Sequence, residues 1–175
     1  MTKEKFSNIY DSHSKEIFNF LFLRTSSSDI AGDLTAETFF KFWKTNCDKP
    51  EDYLKNPRAF LYRLARNLLV DSYRKNSKQT IVSIDASFED TDNENVVEIQ
   101  VQSEENIERE YAESEKREMV LAHIKKLNPI YADVLIYHYI QGLDSKEIAI
   151  IIGRTEANTR VIIHRALESL KKAIK

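Results

Sequence analysis

The sequence predicts an all-α protein: two small helical modules joined by an acidic linker, the second built as a helix-turn-helix. Three observations carry that expectation. Only three Gly and three Pro occur in 175 residues, and so few helix breakers favour long helices over a sandwich or barrel. Apolar residues recur at i, i+3, i+4 and i+7 through both ends of the chain, the period of an amphipathic helix. Charge is unevenly spread behind a net value of −2. Residues 1–78 hold 14 basic and 10 acidic side chains, residues 79–118 hold 3 and 13, and residues 119–175 hold 9 and 5. Two mildly basic ends flanking an anionic middle suggest separate modules with a polyanionic partner, set against the plainer reading of solvated helix faces.

The elements follow in order. Phe6, Ile9, Tyr10, His13, Ile17, Phe20 and Leu21 mark a first amphipathic helix. "TSSSD" ends it and offers Asp29 as the N-cap of the next. Ile30, Leu34, Thr38, Phe39, Phe42 and Trp43 form the apolar face of that second helix. The polar stretch "TNCDKPEDYLKNP" reads as a loop or a broken short helix. "AFLYRLARNLLVDSYRK", Ala59 to Lys75, then runs without Pro or Gly. Leu61, Leu64, Ala65, Leu68 and Ser72 form its buried stripe, and Arg63, Arg66, Asn67, Val70 and Arg74 share another face. Three guanidiniums and an amide on one ridge suit a polyanion. Asn is costly inside a helix that is otherwise strongly formed, which tilts that ridge toward a contact rather than mere solvation. These helices make one domain, residues 1–77, with an aromatic-rich core drawing on Phe20, Phe39, Phe42, Trp43 and Phe60.

Residues 78–103 are acidic and weakly hydrophobic and read as a linker, with a short strand at "TIVSI" conceivable. The second domain, residues 104–175, opens with a helix lined by Ile107, Tyr111, Val120, Leu121, Ile124 and Leu127. Asn128 caps a helix that starts at Pro129, the favoured first-turn position for proline, and runs to Gly142. "DSKE", Asp144 to Glu147, has capping-box spacing. It opens "SKEIAIII", which Gly153 closes; "RTEAN" turns the chain into "NTRVIIHRALESLKKAIK". Ile148, Ala149, Gly153 and Ile162 have helix-turn-helix spacing: the small Ala149 permits a close crossing and Gly153 the tight turn. Ile162, Ile163, Ala166, Leu170, Ala173 and Ile174 form the inward stripe of the last helix. Glu156, Ala157, Asn158, Arg160 and Val161 sit at its polar N-terminal end, where recognition helices hold their base readers. Arg160 suits guanine, Asn158 adenine and Val161 a thymine methyl, while Arg165, Lys171 and Lys172 suit phosphate. The competing reading is a plain helical hairpin with a basic surface.

"DLTAETFFKFW" (Asp33–Trp43), "RAFLYRLARNLLVDSYRK" (Arg58–Lys75) and "LNPIYADVLIYHYIQGLDSKEIAIIIG" (Leu127–Gly153), in that order, resemble bacterial RNA polymerase sigma factors of the extracytoplasmic-function class. The resemblance covers both ends of the chain and skips the linker. It implies that the first domain recognises and melts the minus-ten promoter element and the second reads the minus-thirty-five element. It implies core RNA polymerase and promoter DNA as partners, and brings an anti-sigma factor with it as a partner class. Asp33 and Glu37, with Phe40 and Lys41, resemble the polymerase-docking helix. Tyr53, Arg58, Tyr62, Arg63, Arg66, Asn67, Arg74 and Lys75 resemble the minus-ten contacts, with Asn67 at the unwound strand. Glu156, Asn158, Arg160, Val161, Arg165 and Lys171 resemble the minus-thirty-five contacts. Tyr53, Phe60, Tyr62 and Tyr73 are candidate stacking platforms for an unstacked base, with core packing as the alternative. The chain departs from the family pattern at Ala36, Arg154, Thr159 and Ile162.

Other classes lack support in the residues. The single Cys47 excludes an internal disulfide and a Cys-rich zinc site, and the four His stand apart, so no metal or cofactor is expected. No run approaches about 20 apolar residues, so no membrane insertion is expected. "MTKEKFSNIYD" has no apolar signal region, so the expected location is cytoplasmic. Asp11, His13 and Glu16 lie close in sequence, but no nucleophile–base pair or phosphate loop supports catalytic residues. A stand-alone helix-turn-helix regulator remains the alternative function. It has no need of an acidic ridge over Asp33–Trp43.

Overall fold

The computed structural model describes residues 1–50, 55–76 and 107–174. The expected linker, the "TIVSI" stretch and Tyr53 lie outside the described residues. What is described is helical: α1 (Lys3–Thr25), α2 (Ser28–Asn46), α3 (Pro57–Asn76), α4 (Ile107–Lys126), α5 (Pro129–Leu135), a π-helical turn (Ile136–Ile140), α6 (Ser145–Ile152) and α7 (Glu156–Ile174). No strand occurs among the described residues. The protein is all-α, with two helical domains.

Helices α1–α3 pack into the first domain. Ile17, Phe20 and Leu21 of α1, Phe39 and Phe42 of α2, and Leu61, Ala65 and Leu69 of α3 are buried. Phe6 meets Trp43 edge-on at 5.1 Å between ring centroids, and Phe42 meets Phe60 at 6.0 Å. Thr35 and Thr38 also face inward. Their hydroxyls stay satisfied by donating back to the carbonyls of Ala31 and Leu34, each at 2.6 Å. Ile30 and Tyr10, expected on apolar faces, are exposed at the edge of this core. The cap of α2 differs from expectation. Ser26 takes a left-handed conformation with φ 54°, which turns the chain two residues sooner. Ser27, not Asp29, then accepts from the Ile30 amide, and Asp29 lies in the first turn beside the positive end of the helix.

The second domain keeps the local signals read from the sequence. Asn128 Oδ1 accepts from the Ile130 amide at 3.1 Å. The capping box is complete: the Glu147 amide donates to Asp144 Oδ1 at 2.8 Å and the Asp144 amide to Glu147 Oε2 at 3.2 Å. Gly153 sits at φ 67°. Ile148 and Ala149 of α6 and Ile163, Ala166 and Leu170 of α7 are buried, whereas Ala173 and Ile174 at the frayed end are exposed. Two boundaries move. α7 begins at Glu156 rather than Asn158, because Thr155 Oγ1 accepts from the Asn158 amide and caps it. The helix from Pro129 does not run as one α-helix to Gly142. Its last turn widens, with the Gln141 amide donating to the Ile136 carbonyl at 3.0 Å.

The two domains are not held apart. One hydrophobic cluster runs through both, and Tyr137 of the π turn joins the two parts. Its ring lies 4.8 Å from Phe20 and 5.3 Å from Tyr62. Around this aromatic contact, α3 packs on α6, and ion pairs cross from α1 and α3 to α5.

Candidate nucleic-acid and partner-binding surfaces

The first surface is the outer face of α2. Leu34, Thr35, Thr38, Phe39 and Phe42 point inward, so the helical period turns Asp33, Glu37 and Phe40 to solvent. Lys41 is half-exposed and pairs with Glu37 one turn away at 3.1 Å. Phe40 is 65 % exposed. A large ring left in water beside two carboxylates suits a protein partner more than it suits folding. All four residues expected here share this face.

The second surface is α3, and it divides. Arg63, Asn67, Arg74 and Lys75 are exposed as expected. A shallow groove lined by Arg66, Asn67, Val70, Asp71 and Arg74 runs along this ridge. Arg58, Tyr62 and Arg66 are engaged by the second domain. Arg58 donates to both oxygens of Glu16, at 2.9 Å for the closest contact, and to the Gln141 carbonyl at 2.7 Å. Burial alone would lower its pKa; the hydrogen bond and charge of Glu16 outweigh burial and raise it. Arg66 Nε donates to Asp133 Oδ2 at 3.0 Å. Tyr62 is wholly buried against Phe20 and Tyr137, so in this conformation it is a core residue and not a surface stacking platform. Burial, and then the Glu16 charge, push its phenol pKa up. Phe60 is half-buried against Phe42, and Tyr73 donates to the Arg24 carbonyl at 2.7 Å.

The third surface is the N-terminal half of α7. Asn158, Arg160, Val161, Arg165 and Lys171 are exposed, Glu156 is half-buried, and Thr159 is fully buried with its hydroxyl on the Thr155 carbonyl. Burying Thr159 is what swings its neighbours Asn158 and Arg160 outward. Arg160 is not loose: it pairs with Glu156 and reaches Ser145 Oγ at 3.4 Å, and Ser145 in turn donates to Glu156 at 3.3 Å. The guanidinium is thereby aimed across the turn from α6. Sequence reasoning named Arg160 and Glu156 but missed Ser145, whose part depends on the turn geometry.

It also missed the ion pairs that Arg24, Glu16 and Asp133 make across the fold. Asp133 left a trace: it is the one acid in the mostly apolar run "IYADVLIYHYI", and its side chain is only 3 % exposed. Among the described residues, no group of three or more His, Cys, Asp or Glu is placed to hold a metal ion. No described helix is long and apolar enough to cross a membrane.

Comparison with known families agrees with this anatomy. The sigma-70 region 2 family matches residues 9–79, and the sigma-70 region 4 family matches residues 117–170. The chain is 26 % identical to the ECF RNA polymerase sigma factor SigM of Bacillus subtilis, over 93 % of this chain and 91 % of that one. It is 27 % identical to the RNA polymerase sigma factor YlaC of the same organism, over 97 % and 92 %. It is 24 % identical to the ECF sigma factor BldN of Streptomyces coelicolor, over 98 % of this chain but only 61 % of BldN. In fold it is similar to the sigma factor RpoE of Bartonella quintana, solved in complex with the anti-sigma factor NepR. That match has a TM-score of 0.70 at 18 % identity, covering 98 % and 97 % of the two chains. A PhyR–NepR complex from Sphingomonas sp. Fr1 has a TM-score of 0.58 at 16 % identity, covering 94 % and 86 %. With both regions matched in order across most of its length, the chain belongs to the sigma-70 family of RNA polymerase sigma factors, in the extracytoplasmic-function class.

Proposed function

We propose that this sigma factor directs promoter-specific initiation through three separate surfaces, each on its own helix. Residues 1–77 form the polymerase-docking and minus-ten domain, 78–103 the acidic linker, and 104–175 the minus-thirty-five domain. Asp33, Glu37, Phe40 and Lys41 dock on core RNA polymerase. Arg63, Asn67, Arg74 and Lys75 take the melted minus-ten strand, with Arg58 and Arg66 joining them once released from the second domain. Asn158, Arg160 and Val161 read the minus-thirty-five bases, and Arg165 and Lys171 hold phosphates. The work is done by binding energy, without a catalytic step. Unstacking a base costs a few kcal/mol, and an aromatic platform returns about 1–3 kcal/mol per base. The site of action is the cytoplasm, where polymerase and promoter are. A NepR-like anti-sigma partner belongs to the same reading, supported by the fold shared with RpoE.

One observation supports this reading over a stand-alone regulator: the Asp33–Glu37–Phe40 ridge faces solvent, with the Phe40 ring left outside the core. Run-off transcription with purified core polymerase and a genomic fragment library tests it. Discrete transcripts are expected with the wild-type chain. Glu37→Arg is expected to abolish co-purification with core polymerase at an unchanged melting temperature. Normal holoenzyme assembly by that variant removes the docking assignment.

A further inference from the structure

Asp133 is the most conspicuous residue that the three surfaces leave unused. It sits on α5, in the second domain, with a side chain 3 % exposed. Two guanidiniums of the first domain hold it: Arg24 Nε of α1 lies 3.0 Å from Oδ1, and Arg66 Nε of α3 lies 3.0 Å from Oδ2. A buried carboxylate is tolerated only when paired, and an apolar replacement of the same size often serves stability as well. A paired carboxylate buried at this position therefore suits specificity or switching better than folding.

The place it occupies is informative. Arg66 belongs to the basic α3 ridge with Arg63, Asn67 and Arg74. Asp133 meets it with the negative charge and an oxygen acceptor, as a phosphate would. The same contact carries the second domain across the rest of the α3 N-terminal half. Arg58 is bound to the Gln141 carbonyl, with Glu147 at 3.9 Å, and Tyr62 is covered by Tyr137. The remaining ridge residues, Arg63, Asn67 and Arg74, stay exposed. The second domain thus covers part of a polyanion-binding face and leaves the rest open.

The interface is also imperfect, as a reversible one should be. The Tyr137 hydroxyl is buried in it with no hydrogen-bond partner among the described residues, and the Tyr62 hydroxyl has only the nearby Arg58 guanidinium, too poorly aligned for a good hydrogen bond. Arg24 Nε and Asp133 Oδ1 are close enough to attract but poorly aligned for a hydrogen bond. Lys125 of α4 adds one contact to an uncharged acceptor, donating to Ser26 Oγ at 2.7 Å. Poorly paired polar groups of this kind weaken the closed state relative to an open one in which water reaches them.

We propose that Asp133, clasped by Arg24 and Arg66, is an autoinhibitory latch that holds the second domain over the α3 face until nucleic acid displaces it. The latch rests on the reading of α3 as a DNA-binding ridge. It adds that the 175-residue chain without polymerase is closed, and that Asp133 competes with phosphate for Arg66.

Two variants open it from opposite sides. Asp133→Asn removes the charge at constant shape, and Arg24→Gln weakens the clasp without touching the α3 ridge. Each is measured as the full chain, with circular dichroism confirming the helical fold. Small-angle scattering reads the separation of the domains. Fluorescence anisotropy reads binding to a labelled single-stranded DNA of mixed sequence. Both variants are expected to enlarge the radius of gyration and tighten DNA binding by at least about three-fold, as the competent fraction rises. A folded variant that stays compact, or that expands without tighter binding, overturns the latch. Arg63→Ala, on the ridge but outside the clasp, separates the two failures. If it weakens DNA binding while both latch variants leave binding unchanged, the latch alone is wrong. If it binds as the wild type does, the ridge reading and the latch fall together.

Discussion

Tyr62 and Tyr137 show what burial does to a polar side chain that finds no well-aligned partner. The rings meet edge-to-face at 5.3 Å in the contact between the domains, and neither hydroxyl makes a well-aligned hydrogen bond among the described residues. Their phenol pKa values rise chiefly because burial penalises the anion; for Tyr62 the Glu16 charge adds to this, and for Tyr137 the Asp133 charge. The folded state thus holds these protons more tightly than the unfolded chain. Stability from this source is complete below the ordinary phenol value of 10.0 and is lost as pH climbs above it. Tyr62→Phe and Tyr137→Phe keep the rings and remove the hydroxyls. Each is expected to leave stability unchanged or raise it by up to about 1 kcal/mol in urea denaturation, and the double variant should flatten the alkaline loss. A clear destabilisation of either variant at neutral pH would show that its hydroxyl makes a good hydrogen bond after all. Arg160 is the opposite case, a charged group that is exposed yet held by Glu156 and reaching Ser145. Arg160→Ala is expected to cost about 1–3 kcal/mol on the promoter sequence it reads and little on scrambled duplex, measured by titration of labelled duplexes. An equal loss on both would make it a phosphate contact.

At the scale of elements, local chemistry accounts for most of what is seen. The Asp144–Glu147 box, the Asn128–Pro129 start and the Gly153 turn each involve residues a few positions apart, so a string of letters carries them. Gly153 separates backbone strain from crowding. A Cβ added there meets nothing within 4 Å, but the φ of 67° is one that L side chains rarely adopt. Gly153→Ala should therefore cost about 1–2 kcal/mol from the backbone alone, lowering the melting temperature by several degrees without changing the helix content seen by circular dichroism. No shift would mean that the turn relaxes. Other elements were not legible in this way. The left-handed backbone of Ser26 moved the α2 cap to Ser27, and Thr155 extended α7 by two residues, because neighbouring Ser, Thr, Asp and Asn side chains are near-equal candidates for the same cap. The π turn has no local signature at all. It coincides with the one segment where Tyr137 reaches into the other domain.

At the scale of the whole molecule, the two domains share a core. Contact across that core couples them, so calorimetry is expected to show one cooperative unfolding transition for the full chain. Two resolved transitions would mean that the aromatic contact and the Asp133 clasp hold too weakly to link them. The arrangement also divides the three surfaces by availability. The α2 ridge and the α7 N-terminus face solvent in the closed molecule, while Arg58, Tyr62 and Arg66 on α3 are covered.

By itself the sequence determined the all-α class, the helices and most of their caps, the turn of the helix-turn-helix and the outward faces of α2 and α7. Those features follow from periodicity and from hydrogen bonds between near neighbours. Only the tertiary structure decided which α3 residues are open. Arg66 meets Asp133 across 67 positions, and Arg58 meets Gln141 across 83. A helical ridge reads the same whether water or another domain lies against it, because its period records which face is polar and not what that face touches.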